Sequence, residues 1–113
     1  MITLDQVLSG RNVLRAIKQV VSNKGAPGID GMTVDQYEAH HRRHWRSIVE
    51  HIRAGSYIPA PVHRVDIPKP NGGTRMLGIP TVQDRVIQQA IAQILVEAYD
   101  PHFSNSSYGF RPG

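Results

Sequence analysis

The sequence predicts an α+β domain: a helical N-terminal portion, then a β-hairpin, then one long helix. Three observations predict it. Apolar residues recur at three- and four-residue steps over 4–21, 34–52 and 82–98, the period of a helix with one buried stripe. Val62-His63-Arg64-Val65-Asp66-Ile67 alternates apolar and polar, and Thr74 to Ile79 forms a second candidate strand, with Asn71-Gly72 between them as a hairpin signal. Glycine and proline concentrate in the intervals between these segments, where they punctuate rather than interrupt.

Taken in order, the first segment carries Leu4, Val7, Leu8, Val13, Leu14, Ile17, Val20 and Val21. Gly10 is expected to divide it into a short helix and a longer one that is capped near Asn12 and ended by Gly25. Asn23 to Thr33 then holds three glycines and a proline. Either a compact turn or a loop laid against a ligand accounts for them, since glycine permits positive φ and close approach of another backbone. Thr33 with Gln36 has the spacing of a capping box and opens a helix to about Ala54. Its stripe is Val34, Tyr37, His41, Trp45, Ile48, Val49 and Ile52, and Gly55 stops it. The proline-rich stretch from Tyr57 to Val62 enforces extended backbone. In the hairpin, Pro68 and Pro70 predict a tip that is not paired all the way up. Thr81 and Asp84 mark the start of the last helix, whose broad apolar face is Val82, Val86, Ile87, Ala90, Ile91, Ile94, Leu95 and Ala98. Asp100-Pro101 ends it, and the tail shows no periodicity.

The chain has 113 residues, enough for one small domain with its own core. Its 40% hydrophobic and 19% charged composition excludes a disordered acidic tail and a low-complexity linker. The absence of cysteine excludes disulfides, thiolate zinc sites and cysteine nucleophiles, so stability rests on packing. No apolar run reaches the roughly 20 residues of a membrane span, and the N-terminus lacks a signal-peptide layout, so a soluble, cytoplasmic protein without a membrane partner is expected. The formal charge is +4, and ten of the thirteen basic residues are arginine. Guanidinium groups pair two-pronged with phosphate and stack on bases, which makes a polyanionic partner plausible beside a simply basic surface.

Three constellations could carry chemistry. Lys69 and Arg75 flank Pro70-Asn71-Gly72-Gly73, placing one cation on each arm of the hairpin around a bare glycine tip. Such a shape suits a polyphosphate, and an exposed hairpin with two solvated cations is the alternative. Arg42, Arg43 and Arg46 form a basic stripe that either meets phosphates or is an ordinary solvated face. His40 and His44 have a chelating spacing, but with no cysteine and no Glu after His40 a metal site there is not expected. The acidic residues are scattered, with no Asp-Asp pair or Asp-x-Asp run to hold divalent cations.

The string from Ile67 through Asn71-Gly72-Gly73-Thr74-Arg75 and Gly78-Ile79-Pro80-Thr81-Val82-Gln83-Asp84-Arg85 to Ala90 resembles the first conserved block of group II intron reverse transcriptases, or maturases. Ser107-Tyr108-Gly109-Phe110-Arg111-Pro112-Gly113 resembles the start of their second block, and Asn23 to Met32 is similar to their N-terminal extension loop. The resemblance implies the fingers of a right-hand polymerase, with the hairpin packed on the long helix. Residues 1–61 would form the extension with a template lid at 23–33, and residues 62–113 the fingers proper.

By the same resemblance Lys69 and Arg75 would contact the phosphates of the incoming deoxynucleotide. Pro68 and Ile79 would pack on the templating base, and Arg111 would approach the template. Asn23, Lys24 and Gly25 belong to the lid over RNA. Arg64 and Arg85 would contact template or brace the hairpin, with an internal salt bridge the alternative for Arg85. His63 stands where relatives often have arginine. The family's metal-binding aspartates lie in the palm, downstream of the second block, so the expectation is a truncated fingers region. It would bind RNA and deoxynucleotide but not polymerise, Mg²⁺ would belong to the full-length enzyme, and no cofactor or metal would be held by this fragment. A standalone RNA-binding module on Arg42, Arg43 and Arg46 is one alternative. Another is a self-associating unit, a homodimer formed through the apolar face of the last helix where the missing palm would sit.

Overall fold

The computed structural model describes residues 2–99, so the expectations placed on the tail, Arg111 among them, lie outside the described residues. The elements are α1 (Leu4–Val7), α2 (Gly10–Asn23), α3 (Val34–Ala54), β1 (His63–Pro68), β2 (Thr74–Ile79) and α4 (Val82–Tyr99). The class is α+β, with a two-stranded antiparallel sheet beside four helices.

The first helix is fixed by a reciprocal box. Thr3 Oγ1 accepts from the Gln6 amide at 3.2 Å, and the Gln6 side chain accepts from the Thr3 amide at 2.8 Å. Helix α2 starts at Gly10 with Ser9 as its cap, not near Asn12; Ser9 Oγ accepts from the Asn12 amide at 3.3 Å. Asn12 is instead a buried core residue. Its amide donates to the carbonyls of Val7 at 2.8 Å and Ala90 at 3.0 Å, and its Oδ1 accepts from Gln93 at 2.8 Å, so one side chain joins α1, α2 and α4. The core is the seam of α2 on α4, where Val13, Ala16, Ile17 and Val20 face Val82, Val86 and Ala90, closed at its ends by Val7, Val34 and Tyr37. Leu14, expected in the stripe, is exposed, because Ala16 takes the inward position and lets the helices approach.

Helix α2 ends at Asn23, two residues before the expected glycine. Lys24 itself turns into positive φ (59°), and Gly25 follows at 85°. In α3 the Gln36 side chain accepts from the Thr33 amide at 2.9 Å, the expected half of a capping box. A left-handed Gly55 closes the helix, with the Gly55 amide on Ile52 and the Ser56 amide on His51.

The hairpin departs from expectation in two ways. Among the described residues it is not packed on α4: the strands pair with each other, most of their residues are exposed, and neither forms a substantial interface with a helix. Val65, Ile67 and Ile79 are partly covered. Pairing also runs to the tip, with Pro68 opposite Thr74 and the Lys69 amide on the Gly73 carbonyl at 3.0 Å. The reason is register. The Lys69–Gly73 pair is hydrogen-bonded, so by antiparallel alternation the Pro68–Thr74 pair is not, and the N–H that proline lacks would have pointed outward. The turn spans three residues rather than the two suggested by Asn-Gly. The Gly72 amide bonds to the Lys69 carbonyl, and positive φ falls on Gly72 (92°) and Gly73 (75°) but not on Asn71.

Candidate nucleic-acid interface

The register settles which hairpin side chains share a surface. His63, Val65, Ile67, Arg75, Leu77 and Ile79 lie on one face, and Arg64, Asp66, Pro68, Thr74, Met76 and Gly78 on the other. Lys69, one step beyond Pro68, falls with Ile67 and Arg75. The two tip cations therefore share a face, at the end of an apolar strip of Val65, Ile67, Leu77 and Ile79. Both are exposed, and neither enters an ion pair among the described residues. Pro68 and Ile79, expected to pack together on one base, sit on opposite faces and at opposite ends of the hairpin, so they do not form one surface. On the Pro68 face, Arg64 Nε donates to Met76 Sδ at 2.8 Å, bracing one strand against the other.

The glycine-rich loop lies on the protein itself. Gly28 is buried, and a Cβ there would come within 2.6–2.8 Å of the Pro80–Thr81 backbone, so only glycine admits the contact. The Gly31 amide closes a turn onto the Gly28 carbonyl at 3.1 Å, and Asp30 Oδ1 accepts from the Met32 amide. Both roles open to the glycines, tight turn and close backbone approach, are thus present in one loop. Arg85 makes no salt bridge among the described residues. Its Nη2 donates to the Ala26 carbonyl at 2.8 Å, and its Nε is buried with no partner among the described residues. Asn23, Lys24 and Arg85 meet in one open groove with Val20, Gln88, Gln89 and Ala92, so these three expected residues are brought together, and Gly25 borders them under Arg85.

Arg42, Arg43 and Arg46 are exposed on α3 and unpaired among the described residues, whereas Arg53 on the same helix is held by Asp5 at 2.8 Å. The adjoining face carries His41 stacked on Trp45 and His40 beside His44, with ring centroids 4.7 and 4.6 Å apart. Burial, then the neighbouring His44, holds His40 below its ordinary pKa; burial, then His40, does the same for His41. Among the described residues no three His, Asp or Glu side chains converge on a metal position.

One organising residue was missed. Thr81 and Asp84 do cap α4, with the Asp84 amide on Thr81 Oγ1 at 3.1 Å. The Asp84 carboxylate also accepts from Tyr57 Oη, from the Ala60 amide at 2.9 Å and from Thr81 Oγ1 at 3.1 Å, all in a buried position. The Thr-x-x-Asp spacing signals the cap, but nothing local signals the partners 24 and 27 residues upstream.

A basic α+β module with a projecting, cation-tipped hairpin is what the fold and site define. No protein-family model matches the chain. It is 39% identical over 98 residues to the group II intron-encoded protein LtrA of Lactococcus lactis subsp. cremoris and 37% identical over 99 residues to the protein YkfC of Escherichia coli K12. It is also 30% identical over 104 residues to the putative COX1/OXI3 intron 2 protein of Saccharomyces cerevisiae. These matches cover 86%, 86% and 90% of this chain, but the chain spans only 16%, 26% and 12% of those proteins. Over most of its length the chain is thus similar to the group II intron-encoded protein LtrA and to a protein named for a yeast intron, in keeping with the family its motifs resemble. Among the described residues no helix is long and apolar enough to cross a membrane.

Proposed function

We propose that this chain is the fingers region of a group II intron-type RNA-directed DNA polymerase, gripping the phosphates of an incoming deoxynucleotide with Lys69 and Arg75 and RNA with its lid loop and α3. The observation that carries this reading is the hairpin register, which sets Lys69 and Arg75 on one face, exposed and free of carboxylate partners among the described residues. Two cations on one face of a hairpin tip form a donor set for a polyphosphate. The groove of Asn23, Lys24 and Arg85 and the stripe of Arg42, Arg43 and Arg46 supply separate backbone contacts to RNA. Mg²⁺ belongs to the parent reaction, and the residues described here do not fit it: the carboxylates are dispersed, and that of Asp84 is taken up by three donors. No step is assigned to a metal in this chain.

Binding of fluorescent deoxynucleotide and of structured RNA to the 113-residue chain tests the reading. Lys69→Ala and Arg75→Ala should each weaken nucleotide binding roughly tenfold or more, the worth of a charge-assisted hydrogen bond, and leave RNA binding nearly unchanged. Unchanged nucleotide affinity in both variants refutes the assignment. Primer extension with template, deoxynucleotide and Mg²⁺ should give no product from the chain alone.

A second reading rests on α4, where Ile91 and Leu95 are exposed beside the half-buried Ile87 and Ile94. That face would be covered by the polymerase palm or, in its absence, by self-association. Sedimentation that stays monomeric at high concentration counts against the second case.

A further inference from the structure

We infer that Asp84 is a positioning residue that sets the angle of the hairpin and thereby where its two cations stand. Its carboxylate grips both ends of the hairpin at once. Oδ2 accepts from the Ala60 amide at 2.9 Å, three residues before β1, and from Thr81 Oγ1 at 3.1 Å, two residues after β2. Oδ1 takes the Tyr57 hydroxyl, which holds the rest of the approach segment. The site is buried in the first turn of α4, beside Val82 and Val86, which are fully buried in the core.

The hairpin needs such a clamp because it has little else. Among the described residues its strands form no substantial interface with the helices, so its direction is decided where it joins the body. A six-residue strand is about 20 Å long, so a tilt of about 10° at the base displaces the tip by roughly 3–4 Å, more than a hydrogen bond tolerates. A helix cap alone would need only Thr81 and the Asp84 amide. Two further donors from a segment that precedes the hairpin are what a clamp requires and a cap does not.

The consequence for nucleotide rests on the function proposed above; the clamp itself does not. The chain has no cysteine, so Lys18→Cys on α2 and Asn71→Cys at the tip can carry two spin labels without background. The parent pair should give one narrow distance distribution. Asp84→Asn and Tyr57→Phe should each broaden or shift it while helix content by circular dichroism is retained. Tyr57→Phe leaves the α4 cap intact, and it carries the test if Asp84→Asn fails to fold. An unchanged distribution in a folded variant overturns the inference. Nucleotide affinity measured on the same variants should fall about tenfold, with RNA binding through α3 unaltered. A broadened distribution without that loss supports the clamp and refutes the nucleotide role of the tip.

Discussion

The guanidinium of Arg85 donates to the carbonyl of Ala26, 59 residues earlier, and its Nη1 stands 2.7 Å from where a Cβ on Gly25 would lie. A cation that could have met an acid or a nucleic acid is thus partly committed to a loop of its own chain. Lysine lacks the fork to reproduce this contact. Arg85→Lys should therefore speed amide exchange through residues 25–31 and cost about 1 kcal/mol in urea denaturation. An unchanged exchange rate would show that the loop is held by Gly28 alone.

Two glycines of that loop should fail for different reasons. Gly28→Ala drives a methyl into the Pro80–Thr81 backbone, which cannot yield as a side chain can, and should cost roughly 2–3 kcal/mol. Gly31→Ala meets nothing within 4 Å and suffers only from its φ of 75°, so about 1 kcal/mol is expected. Chemical denaturation of both variants separates steric from conformational cost.

Removing the Asn12 side-chain amide takes a buried donor from the Val7 and Ala90 carbonyls and leaves the Gln93 amide only the Asn12 backbone carbonyl. Asn12→Leu should destabilise by about 2–4 kcal/mol despite matching volume and adding apolar surface. A neutral result by thermal unfolding would mean that water replaces the amide.

The histidines give the fold a pH slope of known sign. His40 and His41 have folded pKa values below the ordinary 6.5, so the unfolded chain binds more protons in the window beneath it. Their contribution to stability is present above about 6.5 and is lost as pH falls through the folded values. Melting temperature should decline on mild acidification, and the double substitution His40→Gln, His41→Gln should flatten that part of the profile. Tyr37 and Tyr57, raised chiefly by burial, act at the other end, where stability is lost as pH rises past the ordinary tyrosine range.

If α3 contacts RNA phosphates, Arg42→Ala, Arg43→Ala and Arg46→Ala together should reduce the slope of log affinity against log salt by about 2–3. Affinity should fall evenly across RNA sequences. A slope identical to that of the parent chain would assign the stripe to solvent.

Much of the fold was legible because its signals are local. The three helical periods, the hairpin, the Thr33–Gln36 box and the Thr81–Asp84 cap each depend on residues within a turn or a strand of one another. The candidate site was legible in part for the same reason: the cations of the tip are carried by a contiguous motif, and a hairpin register then determines that they share a face. The Ser9 cap was passed over because Gly10 looked like a break and Asn12 like a cap, while the inward turn of Asn12 depends on Ala90 and Gln93, about eighty residues away.

The sequence by itself determined the helices and strands, the cation-tipped turn and the family to which the motifs point, since periodicity, capping and contiguous motifs are properties of neighbours along the chain. Only the tertiary structure decided that the hairpin stands free of α4, that Arg85 serves the glycine loop, and that Pro68 and Ile79 face apart. It alone showed that the buried Asp84 gathers Tyr57, Ala60 and Thr81. Each of these is a choice among partners distant in sequence, made by which backbone and side-chain groups burial brings within hydrogen-bonding distance, and no local spacing encodes it.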